Sequence, residues 1–368
     1  MKLESLELRK IAIPRVSAFR TSRGTQSTHH TLLIRMRIDG VEGWGECVAE
    51  NEPTYSPEYL GGAADVIERC LAPRLAEAGQ LTPAQVAPLL ADFRGHPMAK
   101  SALEMAVLDA RLRALGISFG EYLGGVRTCV PSGVSVSIAE NTDDLLDEVD
   151  GHVDAGYRRI KLKIQPGWDI EPIRAVRKRF GTELALQVDA NTAYRPGDER
   201  HLAALDEFGL VLIEQPYEPE DFLGHAELAR RIETPICLDE SIVSAGTAAT
   251  AIRLGACSII NIKPGRVGGY LEARRIHDTA LASGVRVWCG GMAETGLGRA
   301  GNAALASLPG FTLANDLSAS SRYYARDITE PRTVENGHMS VPQGPGLGVQ
   351  VHEDVLAEYT EWSKTLGG

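Results

Sequence analysis

Along the middle of the chain, short apolar runs recur at a steady interval, and each closes on a residue able to hold a metal or move a proton. They are Ile160-Lys161-Leu162-Lys163-Ile164, Leu186-Gln187-Val188-Asp189-Ala190-Asn191, Val211-Leu212-Ile213-Glu214-Gln215-Pro216, Pro235-Ile236-Cys237-Leu238-Asp239-Glu240 and Ile259-Ile260-Asn261-Ile262-Lys263-Pro264. From Lys163 the steps to Asp189, Glu214, Asp239 and Lys263 are about 26, 25, 25 and 24 residues, each one strand plus one return helix. Five consecutive units at one period predict a parallel βα barrel.

The flanks read differently. Residues 3 to 13 alternate apolar and polar, and Thr31 to Gly40 followed by Gly43-Trp44-Gly45-Glu46 reads as strand, turn, strand, an antiparallel opening. Between these strands, Phe19-Arg20-Thr21-Ser22-Arg23-Gly24-Thr25 is either a plain connector or a mobile lid. From Tyr59 to Leu115 the pattern turns helical, with an apolar stripe at Leu103, Val107, Ala110 and Ala114 stopped by Gly116. Glu104 and Asp109 lie off that stripe and are expected in solvent. The Leu123-Gly124-Gly125 turn marks a boundary, after which Val130 to Val136 reads as the first barrel strand; Ser135 there either faces the site or fills the tapering interior.

Asp169 and Gly181 bracket a capped return helix, and further return helices are expected over 224–232, 245–254 and 269–283. Val285 to Trp288 reads as a seventh strand, followed by the Gly-rich turn Cys289-Gly290-Gly291-Met292 on the catalytic face, and Phe311-Thr312-Leu313 as an eighth. Past about residue 326, prolines and glycines break the period. The expected division is 1–127, 128–325 for the barrel, and 326–368.

Composition narrows the function. At 368 residues, 43% of them hydrophobic, the chain has room for a barrel and a second domain. A formal net charge of -11 argues against nucleic acid or an anionic membrane as the main partner, so an anionic substrate must be drawn by a local cationic site. Six scattered cysteines with no C-x-x-C spacing suggest neither zinc nor disulfides, and a reduced, cytoplasmic setting is the default. The acid-bearing start of the chain lacks the apolar core of a signal peptide, and no run of about 18 apolar residues occurs.

In a βα barrel every strand ends on the same face, so Asp189, Glu214 and Asp239 converge into an oxygen-rich cluster. Three carboxylates in a small volume need a cation, and oxygen ligands favour a hard divalent ion, Mg²⁺ before Mn²⁺. Lys161 and Lys163 alternate along one strand and point the same way, into the barrel rather than under its helices. Asn191 and Glu240 either orient the ligands or face solvent at the strand ends. Removing a proton beside a carboxylate makes a doubly charged ene-diolate, which a divalent cation stabilises as a Lewis acid. The base must be neutral near pH 7, and burial, the metal and a second lysine are expected to lower a lysine from its usual value of roughly 10.4.

Lys-X-Lys on one strand, single carboxylates ending the next three and a lysine ending the fifth resemble the enolase superfamily, in its muconate lactonising branch. The wording of Val188-Asp189-Ala190-Asn191-Thr192-Ala193-Tyr194, Ile213-Glu214-Gln215-Pro216, Leu238-Asp239-Glu240-Ser241 and Asn261-Ile262-Lys263-Pro264-Gly265-Arg266-Val267-Gly268-Gly269 is similar to that of o-succinylbenzoate synthases that also racemise N-acylamino (N-succinylamino) acids. The resemblance implies an α/β fold: a modified TIM barrel of (β/α)7β-like form, with an α+β capping domain built by the N-terminal region and the returning C-terminal tail. It implies metal ligation by Asp189, Glu214 and Asp239 and proton transfer by Lys163 and Lys263. It also implies a lid that brings Phe19 and Thr21 to a small carboxylate substrate, and a homo-oligomer.

A mandelate-racemase-like site would put a histidine where Trp288-Cys289-Gly290 stands, and dipeptide epimerases carry an Asp-X-Asp pair that Ala314-Asn315-Asp316-Leu317-Ser318 does not show. A muconate cycloisomerase shares the same set, while a Schiff-base aldolase or a non-catalytic barrel explains less of it. Arg266 is either a solvated loop cation or a group folded back toward Lys263, and Gly291 and Met292 belong to the turn beside the site.

Overall fold

The computed structural model of the chain describes residues 2–21 and 24–367, and for Phe19, Arg20 and Thr21 the backbone alone. The opening strands β1 (Leu3–Thr21), β2 (Gly24–Ile38) and β3 (Val41–Cys47) form an antiparallel sheet, completed by the last strand of the chain on the far side of β1. The β1–β2 ladder shifts register between Pro14 and Phe19, then runs on to Thr21 opposite Gly24. The lid reading of 19–25 turns on Ser22, Arg23 and the side chains of Phe19 and Thr21, which lie outside the described residues.

The helix Pro97–Leu115 lies across β3. Glycine makes that approach feasible: a Cβ at Gly43 would sit 2.2 Å from the carbonyl oxygen of Ala106, and one at Gly45 would sit 2.0 Å from that of Ala102. With a sheet on one side and the barrel on the other, the helix has almost no solvent face. Glu104 and Asp109, expected in water, are therefore buried. Each is satisfied by backbone donors of the neighbouring layers, as buried carboxylates must be. Glu104 accepts from Leu271 N at 3.0 Å, and Asp109 accepts from Trp44 N at 2.9 Å and Leu347 N at 2.8 Å while pairing with Arg113.

The expected first barrel strand divides in two. β4 (Cys129–Pro131) joins a small antiparallel sheet, and only β5 (Gly133–Val136) enters the barrel. The break falls at Pro131-Ser132, where proline has no N–H to give a ladder. From β5 the parallel sheet continues in chain order through β6 (Arg159–Lys163), β7 (Ala185–Asp189), β8 (Ile213–Glu214), β9 (Ile236–Leu238), β10 (Ile259–Ile262) and β11 (Arg286–Cys289). Return helices cover it; that over Ile170–Phe180 is capped by Asp169, and another spans Ala245–Leu254.

Phe311-Thr312-Leu313 is not an eighth strand. It makes a single bridge, Phe311 to Val287, and the gap between β11 and β5 is spanned by Asn315 and Asp316. Asn315 replaces a ladder with its side chain: its Oδ1 accepts from Cys289 N at 2.8 Å and its Nδ2 donates to Pro131 O at 3.1 Å. Its own carbonyl accepts from Gly133 N at 2.7 Å, and Asp316 N donates to Cys289 O at 2.9 Å.

The tail adds β12 (Val334–Glu335) and β13 (His338–Ser340) to β4, then crosses to the cap, where β14 (Thr360–Gly367) pairs antiparallel with β1. One hydrophobic cluster fills the barrel and a second lies under the cap sheet. All six cysteines are free thiols. Among the described residues no helix is long and apolar enough to cross a membrane.

Candidate active site

Parallel register puts the charged strand ends in one arc. Lys163 pairs with Asp189 across β6–β7 and Asp189 with Glu214 across β7–β8, while Asp239 and Lys263 each sit one residue beyond β9 and β10. All are buried, as are Lys161, Asn191 and Glu240. Above them lies a cavity of about 550 Å³, with Lys161, Lys163, Asn191 and Lys263 on its floor and residues of β2 and of the loop after β3 on its opposite wall.

Lys163 Nζ lies 2.6 Å from Asp189 Oδ2 and 2.7 Å from Asn191 Oδ1, and Asn191 Nδ2 donates to Glu240 Oε1 at 3.2 Å. Lys161 Nζ reaches Asp316 Oδ2 at 2.6 Å, Glu214 Oε2 at 3.1 Å and Asp189 Oδ2 at 3.5 Å, with the Trp288 ring 4.8 Å away. Lys263 Nζ donates to Asp239 Oδ2 at 2.8 Å and to Tyr55 Oη at 3.2 Å. Arg266 is not in solvent: it is 3% exposed, its Nη1 on Asp239 Oδ1, its Nη2 donating to Asn261 O at 2.6 Å and its Nε to Ile242 O at 2.9 Å. Ser135 faces the cavity and gives its hydroxyl to Asp316 Oδ2 at 3.2 Å. Gly291 and Met292 line the rim, with Met292 N held by Glu294 Oε1 at 3.0 Å.

Electrostatics tie the three carboxylates together. Burial, and then the charge of Asp189, push Glu214 up to about 8. Burial acts the same way on Asp239, but Arg266 and Lys263 outweigh it and hold that carboxyl below its usual range. For Lys263 the protein's own side chains act against the lowering expected where burial, a metal and a second lysine combine. Burial does press it downward, but the Asp239 carboxylate at 2.8 Å, helped by Tyr55, raises it well above its ordinary value. Lys161 is raised in the same way by Asp316, Glu214 and Asp189 against burial.

The donor set of Asp189, Glu214 and Asp239 suits a hard divalent cation: oxygen only, with three carboxylates whose charges perturb one another across one face. Their oxygens are engaged by lysine and arginine donors, and among the described residues no three acidic, thiol or imidazole groups form a ready cage.

Three neighbours of the site escape the strand-end pattern. Asp316 lies in the irregular segment that replaces an eighth strand. Asn261, whose Nδ2 donates to Glu214 Oε1 at 2.7 Å, stands two residues before Lys263, so strand parity alone could have flagged it. Tyr55 belongs to the cap, and only the docking of the two layers brings it to Lys263. Glu46 of β3 contributes to that docking: it accepts from Thr295 N at 2.9 Å, Thr295 Oγ1 at 2.7 Å and Gly298 N at 2.9 Å at the start of the helix Gly296–Ala306.

Residues 6–124 match the mandelate racemase / muconate lactonizing enzyme N-terminal domain, and residues 144–355 match the enolase C-terminal domain-like family. The chain is 62% identical over 367 residues to an N-succinylamino acid racemase of an Amycolatopsis species, covering 100% of both chains. It is 45% identical over 366 residues to an o-succinylbenzoate synthase of Geobacillus kaustophilus, covering 99% of this chain and 97% of the relative. A crystal structure of an enolase superfamily member from Listeria innocua superposes with a TM-score of 0.96 at 37% identity, covering 100% of this chain and 99% of the other.

Proposed function

The chain belongs to the enolase superfamily, in its mandelate racemase / muconate lactonizing enzyme family, and from that premise we propose that it removes the proton α to the carboxylate of an N-succinylamino acid, racemising it. We propose that it also performs the dehydration that yields o-succinylbenzoate. The observation that carries this reading is the placement of Lys163 and Lys263 on the floor of one cavity, four strand positions apart in the sheet and each on a different carboxylate.

For racemisation, one lysine takes the α-proton from its face and the other returns a proton from the opposite face. For dehydration, one lysine serves as base and then as acid to the departing hydroxyl, and the other contributes positive charge. Lys161, fixed by Asp316 and by the Trp288 ring, adds a second positive charge beside Lys163. Asn191 orients Lys163, and Tyr55 and Arg266 crowd the Asp239 side of Lys263.

Asp189, Glu214 and Asp239 would hold a divalent metal, Mg²⁺ in this reading. When bound, it supplies Lewis-acid stabilisation to the doubly charged ene-diolate. The decisive assay presents Mg²⁺-loaded protein with N-succinylamino acids and with the synthase substrate, before and after chelation. Turnover of both that disappears with chelator and returns with Mg²⁺ is the expected result; full activity in chelator would sink the proposal.

A further inference from the structure

Four cationic side chains, lysine or arginine, line the cavity among the described residues: Arg15, Lys161, Lys163 and Lys263. The three lysines are matched, Lys161 by Asp316 and Glu214, Lys163 by Asp189 and Lys263 by Asp239. Arg15 is not. Its described contacts are one long hydrogen bond from Nη2 to Gln26 Oε1 at 3.3 Å and a position 6.0 Å from the Tyr323 ring centroid, and its Nε is buried without a partner. A guanidinium whose Nε is buried and unpaired is a desolvated donor left unsatisfied, which the oxygen of an anion would satisfy.

Beside it stands His29, 6% exposed, also lining the cavity, and with its Nε2 likewise unpartnered. Burial, reinforced by the Arg15 charge, keeps this imidazole neutral, so it adds a polar group without adding charge. Both side chains have fixed backbones. Arg15 bridges Tyr324 across from the 320–324 turn, Val16 N donates to Tyr323 O at 3.0 Å, and His29 pairs with Ile13 in the cap sheet. The two groups therefore form a polar patch on the cap wall of the cavity whose floor carries the lysines.

The ligands of both proposed reactions share one feature away from the reacting carbon: a succinyl group ending in a second carboxylate. Taking the proposed function as its premise, we infer that Arg15, with His29 beside it, is the receptor for the distal carboxylate of the succinyl group. The arrangement separates two tasks: the floor handles the reacting carboxylate, and the wall selects the acyl chain. It also accounts for how a protein of net charge -11 draws a doubly negative substrate.

The test uses a matched pair, an N-succinylamino acid and its terminal carboxamide, which has the same length but no distal charge. Wild-type, Mg²⁺-loaded protein is expected to prefer the carboxylate by about 10- to 100-fold in kcat/KM, with the difference in KM, as befits one charge-assisted contact remote from the chemistry. Arg15→Gln should abolish the preference and Arg15→Lys should keep part of it. Absence of a preference in the wild type, or equal losses on both ligands in Arg15→Gln, overturns the assignment; the wild-type comparison holds even if a variant folds poorly. If the wild type turns over neither ligand, the racemase reading falls, and calorimetry with the same pair still decides Arg15: a carboxylate preference present in the wild type and lost in Arg15→Gln supports it, and its absence refutes it.

Discussion

The two halves of the active site are built from different material. On the Lys163 side, the ammonium rests on Asp189 and Asn191, both from the end of the neighbouring strand β7, so the barrel alone makes that half. On the Lys263 side, Asp239 is shared between two cations, Lys263 on one oxygen and Arg266 on the other, and a capping-domain tyrosine touches both. One proton-transfer group is thus a property of a single layer, while the other depends on how two layers meet. Damage to the cap seam should fall on one face of the substrate only.

The strongest way to break this comparison is to delete each lysine. Lys163→Ala and Lys263→Ala should each lower racemisation by at least about 10³-fold, in keeping with loss of a general acid–base group. Each should retain exchange of the α-proton with D₂O for one enantiomer, opposite in the two variants. Equal exchange of both enantiomers in either variant would erase the distinction between the halves.

Arg266→Gln is the next sharpest probe. Without the guanidinium, the Asp239 carboxylate keeps Lys263 as its one cationic partner among the described residues, beside the Tyr55 hydroxyl, and holds that ammonium more firmly. Racemisation, which needs Lys263 to take up a proton in one direction, should lose about tenfold more kcat/KM than o-succinylbenzoate formation, where a cation suffices. Matching losses in the two reactions would mean that Arg266 acts on folding or binding.

A smaller effect is expected for Tyr55→Phe, which keeps the ring 4.8 Å from Lys263 Nζ but removes the hydroxyl. Exchange from the face served by Lys263 should fall about 3- to 10-fold, with the other face following the wild type. Isotope exchange measured for each enantiomer separately tells the two apart.

The mildest test concerns the seam itself. Burial pushes Glu104 up to about 7, although Leu271 N donates to it. Its folded value lies above its unfolded one, so its contribution to stability is complete below about pH 4.5 and is lost as pH rises through about 7. Between pH 5 and 8 the wild-type melting temperature should therefore drop by a few degrees relative to Glu104→Gln, which cannot ionise. Parallel melting curves for the two proteins would show that Glu104 does not titrate in this interval.

What the sequence made legible follows from barrel geometry. The positions of Lys163, Asp189, Glu214, Asp239 and Lys263 were readable because a strand-end residue is located by counting, and parallel register carries that count into space. Asp316 was hidden because its segment closes the barrel through an asparagine side chain rather than a ladder, leaving no alternation to read. Glu104 and Asp109 misled because a helix packed on two sides has no polar face, so lying off the apolar stripe no longer signifies water. The pull of Asp239 on Lys263 was not legible, because counting strand ends places both on one face without showing that they pair. Tyr55 carried no local signal at all, since its place depends on contacts between segments about 200 residues apart.

The pairing of β14 with β1 has a consequence for the order in which the molecule assembles. Ser5 to Ile11 find their partners in Thr360 to Gly367, so one edge of β1 stays open until that distant segment leaves the ribosome. The barrel can close on its own strands well before then, whereas the wall that carries Arg15 waits for β14. A nascent chain would therefore acquire its proton-transfer floor before its cap sheet is complete, and ribosome-stalled chains ending before Thr360 should show a protease-sensitive cap over a protected barrel.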